Sequence, residues 1–201
     1  GLLYSRPYQQ EEIKFEVTNM IRAINKRGPD DEGLWIDPTI GLGIGHKRLA
    51  IQDLSKNGYQ PMVSKNGRFV IAFNGEIYNH LELRKELHNS GIISSNWIGT
   101  SDTETILACL VAWGLNKSLK KFVGMFSFVL FDKYDKKLFL VRDRFGEKPI
   151  YYGFSKKHSY EYNNFLTFAS EISAFKSLKN LTSSINITAL NSFFNFGYVK
   201  G

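Results

Sequence analysis

The sequence predicts an α+β fold in which helices and antiparallel sheets are stacked in layers. Three observations indicate it: a helical spacing of apolar residues near the N terminus, short apolar runs bounded by turn residues, and a hairpin pattern in residues 125–142. Helices that alternate with antiparallel hairpins favour stacked layers over a doubly wound parallel sheet. A chain of 201 residues is long enough for one large domain, or for one domain and the beginning of another.

The first half of the chain is predicted to open with an amphipathic helix. Ile13, Val17 and Met20 repeat at helical spacing within residues 10–27, with polar residues between them. Strands are expected at 33–36, 40–51 and 68–73. The third of these is an apolar run that ends at the Asn-Gly pair 74–75, a dipeptide typical of turns, so we predict a buried strand followed by a turn.

Further helix starts are predicted at two polar residues. Asn79 can cap a helix over residues 79–88, and Ser101 with Glu104 three residues later forms a stronger capping box. The helix that begins at Ser101 is expected to end at Gly114. The remaining predicted elements are a hairpin of strands at 125–132 and 137–142, strands at 148–153 and 165–170, and short helices at 171–178 and 187–194.

Composition and charge exclude several classes of protein. The formal net charge is +7, but the lysines come as separate pairs rather than as one cluster, so no nucleic acid partner is predicted. Cys109 is the single cysteine, which excludes an intrachain disulfide, and the histidines show no metal-ligand spacing. The sequence has no apolar run near the roughly 18 residues that cross a bilayer and no signal-peptide pattern. We expect no metal, no membrane contact and a cytoplasmic protein.

Five motifs stand in order along the chain. They are RGPDDEG at 27–33, HKRLAIQDLS at 46–55, FNGEIYN at 73–79, SDTE at 101–104 and RDRFGEKPIYYG at 142–153. Together they resemble the class II, or N-terminal-nucleophile (Ntn), glutamine amidotransferase domain of asparagine synthetases. The resemblance implies a four-layer αββα sandwich of the Ntn-hydrolase type with two mainly antiparallel sheets. It also implies that residues 1–185 form the amidotransferase domain and that residues 186–201 begin the connection to an ATP-dependent synthetase domain.

Glutamine is a zwitterion with an amide at its far end, so its site needs a cation, an anion and hydrogen-bond donors near the amide carbonyl. The planar fork of Arg48 suits a carboxylate, and by resemblance Arg48 binds the α-carboxylate of the substrate; a surface ion pair is the alternative. Glu76 and Asp102 resemble the family's contacts to the substrate amino group. Asp102 also stands at a predicted helix N terminus, which favours its ionised form, and a plain helix cap is the alternative. Ile51 and Gln52 are assigned backbone contacts by the resemblance alone.

Asn74 and Gly75 are the candidate oxyanion hole. An amide side chain and a bare backbone N–H at the end of a strand can both point at one spot, and such donors stabilise a tetrahedral intermediate. From the residues alone a plain Asn-Gly turn is favoured, whereas the resemblance favours the oxyanion hole. The motif residues 27–31, Asp143 and Arg144 are assigned to loops that shape the pocket.

The chain as given contains no residue that matches the family's nucleophile. In that family a cysteine at the mature N terminus attacks the amide carbon, forms a thioester and releases ammonia, with its own α-amino group as the base. The family opening resembles Cys-Gly-Ile-x-Gly, which aligns its last residue with Gly1 and places the cysteine four residues before Gly1. Cys109 lies in a predicted apolar helix and is expected to be a core residue. We therefore expect the chain that starts at Gly1 to be inactive.

The resemblance predicts a glutaminase domain that passes ammonia to a synthetase domain making asparagine or a related amide. No cofactor is expected for the glutaminase domain, whereas ATP and magnesium are expected for the synthetase domain. Three explanations stay open for the missing cysteine: the sequence has lost its first residues, the domain is a non-catalytic scaffold, as in β-lactam-synthetase-like proteins, or the alignment of the opening is shifted. A homodimer is one option for the quaternary structure.

Overall fold

Nine strands and five α-helices lie in the part of the chain that the computed structural model describes, residues 1–50, 53, 55–91, 96–155, 164–178, 181 and 184–199. The strands are β1 (Leu2–Tyr4), β2 (Asp31–Asp37), β3 (Leu42–Arg48), β4 (Met62–Val63), β5 (Phe69–Ile77), β6 (Gly124–Asp132), β7 (Lys137–Arg142), β8 (Tyr151–Phe154) and β9 (Phe165–Ala169). The α-helices are α1 (Gln10–Ala23), α2 (His80–Asn89), α3 (Asp102–Trp113), α4 (Leu115–Lys121) and α5 (Ile187–Phe196). Short 3-10 helices cover Asn25–Arg27, Lys56–Gly58 and Ile172–Ser177.

The strands form two antiparallel sheets. One has the order β2-β3-β1-β9-β8, and the other has the order β4-β5-β6-β7. In the first sheet Leu2 of β1 pairs with Gly43 of β3 and with Thr167 of β9, so the short β1 lies between two longer strands. In the second sheet Asn74 of β5 pairs with Ser127 of β6.

Three apolar cores hold four layers together. Helix α1 packs its buried residues Ile13, Val17 and Met20 on the outer face of the first sheet. A second core, including Ile44 and Val70, lies between the two sheets. The third core joins the outer face of the second sheet to helices α2 and α3. This order of layers confirms the predicted α+β fold, a four-layer αββα sandwich with two antiparallel sheets.

Two glycines of β3 allow α1 to approach the sheet closely. A Cβ added to Gly43 would lie 2.4 Å from Ile13 Cγ2, and one added to Gly45 would lie 2.6 Å from Ile21 Cγ2. Both distances are too short for a real Cβ, so a side chain at either position would push the helix away. The alternation of apolar residues and glycines in β3 therefore reflects contact between layers.

The prediction that β5 ends before the Asn-Gly pair is wrong. The strand continues through Asn74 and Gly75 to Ile77, because residues on both sides of the pair stay in register with β6. Local turn propensity is overridden here by pairing with a strand that lies about fifty residues further along the chain. Gly75 is opposite Phe126, and a Cβ on it would lie only 2.2 Å from Met125 O, so this position needs a residue without a side chain.

The predicted helix starts are confirmed, with two differences in the caps. Glu104 accepts from Ile98 N and Gly99 N, each at 3.0 Å, and among the described residues no bond from Ser101 N to Glu104 completes the predicted capping box. Ser101 Oγ accepts a hydrogen bond from Thr103 N, as expected of an N-cap residue, and α3 ends at Gly114. Asn79 precedes α2 but makes no cap bond. Its side chain instead connects α2 to the segment before β6, donating to Lys121 O at 2.9 Å and accepting from Val123 N at 3.1 Å.

Candidate active site

At one end of the inter-sheet core, the inward-facing positions change from apolar to polar. Ile44 on β3 and Val70 on β5 are fully buried between the sheets. Because every second residue of a strand shares a face, the following inward positions point into the same space. They are His46 and Arg48 on β3, and Asn74 and Glu76 on β5.

These residues line a cavity of about 320 Å³. Its walls include five of the predicted site residues: Arg48, Asn74, Gly75, Glu76 and Asp102. Arg48 comes from the first sheet, Asn74 to Glu76 from the second, and Asp102 from the start of α3. The other two predicted residues, Ile51 and Gln52, lie outside the described residues. The volume is at the small end of the range for ligand pockets, which suits a compact amino acid.

A second, narrower cavity of about 100 Å³ adjoins the first and shares His46, Phe73 and Asn74 with it. Its walls also include Gly1 and Phe168, which are opposite each other at the end of β1. This cavity therefore lies beyond the N-terminal end of β1, between β3 and β9.

Arg48 is held in place by backbone carbonyl groups. Its guanidinium donates to Ser55 O at 2.9 Å and to Asp53 O in a shorter contact. A Cβ on Gly58 would lie 2.2 Å from Arg48 Nη2, so this segment encloses the guanidinium. Among the described residues Arg48 has no carboxylate within ion-pair distance, and the surface ion pair considered from the sequence is not found there. The fork is fixed in direction, and the pKa of the neighbouring Asp53 carboxyl is lowered by hydrogen bonds from Ser55 and, to a smaller extent, by the Arg48 charge.

Asn74 carries an available hydrogen-bond donor. Its Nδ2 atom is buried and, within the described ranges, has no hydrogen-bond partner. Leaving a buried amide donor unpaired costs about 1–3 kcal/mol, so such a group needs an explanation. An acceptor that arrives with a ligand would satisfy it.

The N–H of Gly75 points in a direction set by the strand. Phe126, opposite Gly75, directs its own N–H and C=O away from β5 to Asp143, with distances of 3.1 and 2.7 Å. In an antiparallel pair the two residues then turn their backbone groups to opposite sides, so the Gly75 N–H points away from β6. On that same edge of β5, the N–H of Phe73 reaches Gln60 Oε1 and that of Ile77 reaches Asp102 Oδ2. The Gly75 N–H lies between them, on the side of the cavity.

Asp102 is nearly buried. Ser101 occupies the N-cap position, so Asp102 is the first residue of α3 and not the N-cap residue itself. Asp102 Oδ2 accepts from Ile77 N at 2.9 Å, which connects α3 to β5. Burial raises the pKa of the Asp102 carboxyl despite this hydrogen bond, whereas the helix N terminus had suggested an ionised form. A cation bound beside Asp102 would lower the pKa again.

The first motif of the chain shapes the wall around Arg48. Asp30 N donates to Arg48 O at 3.1 Å, and Asp30 Oδ2 accepts from Ala50 N at 2.8 Å. A Cβ on Gly28 would lie 2.5 Å from Lys47 C, so the loop touches the backbone of β3 directly. These contacts agree with the expectation that residues 27–31 form a supporting loop.

Asp143 organises the last motif. Its carboxylate accepts from four backbone N–H groups, at 3.0–3.1 Å: Phe126, Phe145, Glu147 and Lys148. Burial alone would raise the pKa of Asp143, but the four donors outweigh it and lower the pKa to about 2. The loop that they close brings Lys148 to the cavity wall.

Replacing Asp143 by alanine is expected to lower the free energy of unfolding at pH 7 by about 3 kcal/mol, because four N–H groups lose their acceptor. The folded pKa lies below the ordinary value of 3.8, so the carboxylate stabilises the fold above pH 4. That contribution is lost as the pH falls through about 2. Chemical unfolding at pH 7, 4 and 3 measures both effects. The control is Asp135→Ala, whose side chain is 53% exposed; an equal loss in both variants would contradict the prediction.

Sequence reasoning missed two residues of this region, His46 and Gln60. Alternation along β3 places His46 on the same face as Arg48, and that signal is present in the sequence. Gln60 gives no such signal, because it comes to the site through a contact with Phe73 that no local pattern indicates.

The described residues contain neither a metal-binding cluster nor a membrane-spanning helix. No group of three or more histidine, cysteine, aspartate or glutamate side chains is placed to hold a metal ion. Among the same residues, no helix has the length and apolar character needed to span a membrane. Cys109 is fully buried in α3, as predicted, and burial raises the pKa of its thiol to about 12.

Comparison with known proteins gives a consistent set of matches. Residues 4–201 match the glutamine amidotransferase domain family. The chain is 37% identical to a putative asparagine synthetase [glutamine-hydrolyzing] 2 of Methanocaldococcus jannaschii, over 96% of this chain and 38% of the relative. It is 40% identical to asparagine synthetase [glutamine-hydrolyzing] 2 of Bacillus subtilis, over 86% of this chain and 21% of the relative. The chain thus spans about a fifth to two fifths of the length of these relatives.

Proposed function

The chain belongs to the glutamine amidotransferase domain family of asparagine-synthetase-like proteins, and from that premise we propose that it hydrolyses glutamine to glutamate and ammonia when it carries the nucleophilic cysteine. The observation that carries the proposal is the larger cavity, of about 320 Å³. It brings the Arg48 cation, the carboxyl groups of Glu76 and Asp102, and the amide donors of Asn74 and Gly75 together from three separate segments. A zwitterionic amide needs this set of groups.

Each group has a partner on glutamine. The Arg48 fork binds the α-carboxylate, which is planar and takes two parallel hydrogen bonds. Glu76 and Asp102 bind the ammonium group, and the cation favours the ionised form of Asp102. Asn74 Nδ2 and the Gly75 N–H bind the amide oxygen as negative charge develops on it, so they stabilise the transition state more than the ground state.

The register of β1 supports the position of the nucleophile. Because Leu2 pairs with Gly43 and Leu3 with Leu42, Gly1 falls opposite Ile44. A strand continued backwards in this register has its fourth residue before Gly1 opposite Arg48, at the larger cavity. The narrow cavity beside Gly1 and Asn74 lies along this path. The thiolate of a cysteine at that position would attack the amide carbon and form a thioester as the C–N bond breaks, and its α-amino group, with an ordinary pKa of about 8, would carry the thiol proton to the leaving ammonia. Water would then hydrolyse the thioester, which releases glutamate and restores the thiol.

The ammonia released by this domain needs an acceptor in a second domain. The relatives named as asparagine synthetases are longer than this chain, and we propose that residues 186–201 lead into an ATP-dependent domain that uses the ammonia. Helix α5 supports this, because it has no buried residue and its phenylalanines Phe193, Phe194 and Phe196 are more than half exposed. Large apolar side chains in such a cluster are typical of a surface that another part of a protein covers. ATP and magnesium would bind only in that second domain.

Adding Cys-Gly-Ile-Ala before Gly1 is expected to produce glutamine hydrolysis, measured as equal amounts of glutamate and ammonia. The same extension with serine in place of cysteine is the matched control and should be inactive, while both bind glutamine. If the cysteine form binds glutamine but releases no ammonia, the proposal is wrong and the domain is a non-catalytic scaffold. If neither form binds glutamine in calorimetry, the site assignment fails as well.

A further inference from the structure

One edge of β5 next to the cavity lacks a neighbouring strand. Within the described residues, β4 pairs with Val70 and Ile71 only, so the edge from Phe73 to Ile77 has no strand beside it. An open edge leaves N–H and C=O groups without their ladder partners. Here side chains from other elements take the place of that strand.

Both backbone groups of Phe73 are held by side chains. Phe73 N donates to Gln60 Oε1 at 2.7 Å, and Phe73 O accepts from His46 Nε2 at 3.1 Å. The Gln60 amide also donates to Thr103 Oγ1 at 3.3 Å, so it is itself held by α3. Phe73 and Gln60 are 4% and 8% exposed, and water therefore has little access to replace these bonds.

The contact from His46 crosses from one sheet to the other. His46 belongs to β3, and the carbonyl that it binds is the one joined to Asn74 N. A carbonyl oxygen only accepts, so Nε2 carries the proton in this contact. Burial lowers the pKa of His46 to about 4, and the ring is neutral at pH 7. His46 therefore adds a donor to this wall without adding a positive charge.

We propose that His46 and Gln60 are positioning residues for the reaction, which hold the C=O and the N–H of Phe73 on the open edge of β5 and thereby aim the side-chain amide of Asn74 at the reacting carbonyl. The inference rests on the proposed function. Oxyanion donors act only when they lie about 3 Å from the position that the charge will occupy, so a small rotation of the Asn74 peptide weakens the bond in the transition state. Binding of the α-carboxylate and ammonium groups involves other residues and does not depend on this rotation.

The test uses the chain extended by Cys-Gly-Ile-Ala. His46→Leu and Gln60→Met each remove one hydrogen bond to Phe73 and are expected to lower kcat on the order of tenfold, with KM for glutamine changed by less than about twofold. His46→Gln keeps an N–H donor and should recover most of the activity. The exposed residues His88 and Gln10 supply the matched controls, His88→Leu and Gln10→Met, which should leave kcat unchanged.

A second measurement separates positioning from simple structural support. Glutamate γ-semialdehyde forms a tetrahedral adduct with the cysteine thiol and places its oxygen at the oxyanion site, whereas the product glutamate does not. In the two variants, affinity for the aldehyde should fall with kcat, while affinity for glutamate stays within about twofold. The inference is overturned if folded variants keep full kcat, or if affinity for glutamate falls equally. If His46→Leu fails to fold, the kcat and aldehyde affinity of Gln60→Met and His46→Gln test the inference. If the chain extended by Cys-Gly-Ile-Ala has no activity without any substitution, the proposed function is rejected instead.

Discussion

Asn74→Ala is expected to lower kcat for glutamine hydrolysis on the order of 100- to 1000-fold, the usual effect of losing one oxyanion donor. The Nδ2 atom is buried and, in the described part of the chain, has no other partner, so its donor is free for the intermediate. KM should change little, because Arg48, Glu76 and Asp102 bind the other end of the substrate. Initial rates of glutamate release by the cysteine-extended chain measure both constants.

The control for this experiment is Asn89→Ala at the exposed end of α2. It makes the same chemical change away from the cavity and should leave both constants unaltered. Thermal unfolding of both variants checks the fold. A well-folded Asn74→Ala enzyme that keeps more than a tenth of its kcat would remove Asn74 from the oxyanion hole.

Arg48→Lys is expected to raise KM for glutamine on the order of 100-fold with a smaller change in kcat. A lysine ammonium keeps the charge but cannot form two parallel bonds to a carboxylate, and losing one hydrogen bond to a charged group costs about 1.5–3 kcal/mol. The lysine also loses the contacts of the guanidinium with Asp53 O and Ser55 O. Steady-state kinetics over a wide range of glutamine concentrations measure the change.

A substrate analogue separates carboxylate binding from support of the 53–58 segment. The compound 4-aminobutyramide is glutamine without its α-carboxylate. The unsubstituted enzyme should prefer glutamine strongly, and the Arg48→Lys enzyme should lose most of that preference. If both substrates are affected to the same degree, Arg48 supports the loop and does not bind the carboxylate. The exposed Arg22, changed to lysine, is the matched control.

The elements that were predicted best from the sequence are those indicated by residues close together along the chain. The hairpin of β6 and β7 has two apolar runs around a short polar turn, and α3 has a serine at its start and a glycine at its end. These features determine structure through neighbouring residues, and these elements begin and end within one or two residues of their predicted bounds. The family motifs then supplied the four-layer arrangement, which the local signals alone left open.

The errors have a common physical cause, which is contact between residues far apart in sequence. The Asn74-Gly75 pair has the composition of a turn, but pairing with β6 keeps it in a strand. Gln60 comes to the site through a bond to Phe73 that no spacing rule indicates, whereas alternation along β3 does place His46 on the same face as Arg48. The roles assigned to Ile51 and Gln52 stay predictions, as do the catalytic roles of the residues that line the cavity.

The close approach at Gly75 affects how substitutions at that position are interpreted. Any side chain there would collide with the carbonyl of Met125, so β5 and β6 would separate whether or not the protein binds glutamine. Substitutions at Gly75 would therefore destabilise the chain without the nucleophilic cysteine as much as the chain that carries it. Among the standard residues only proline lacks the backbone N–H, and its ring would collide in the same way. The contribution of this N–H to catalysis is therefore better measured by replacing the amide bond with an ester than by changing the residue.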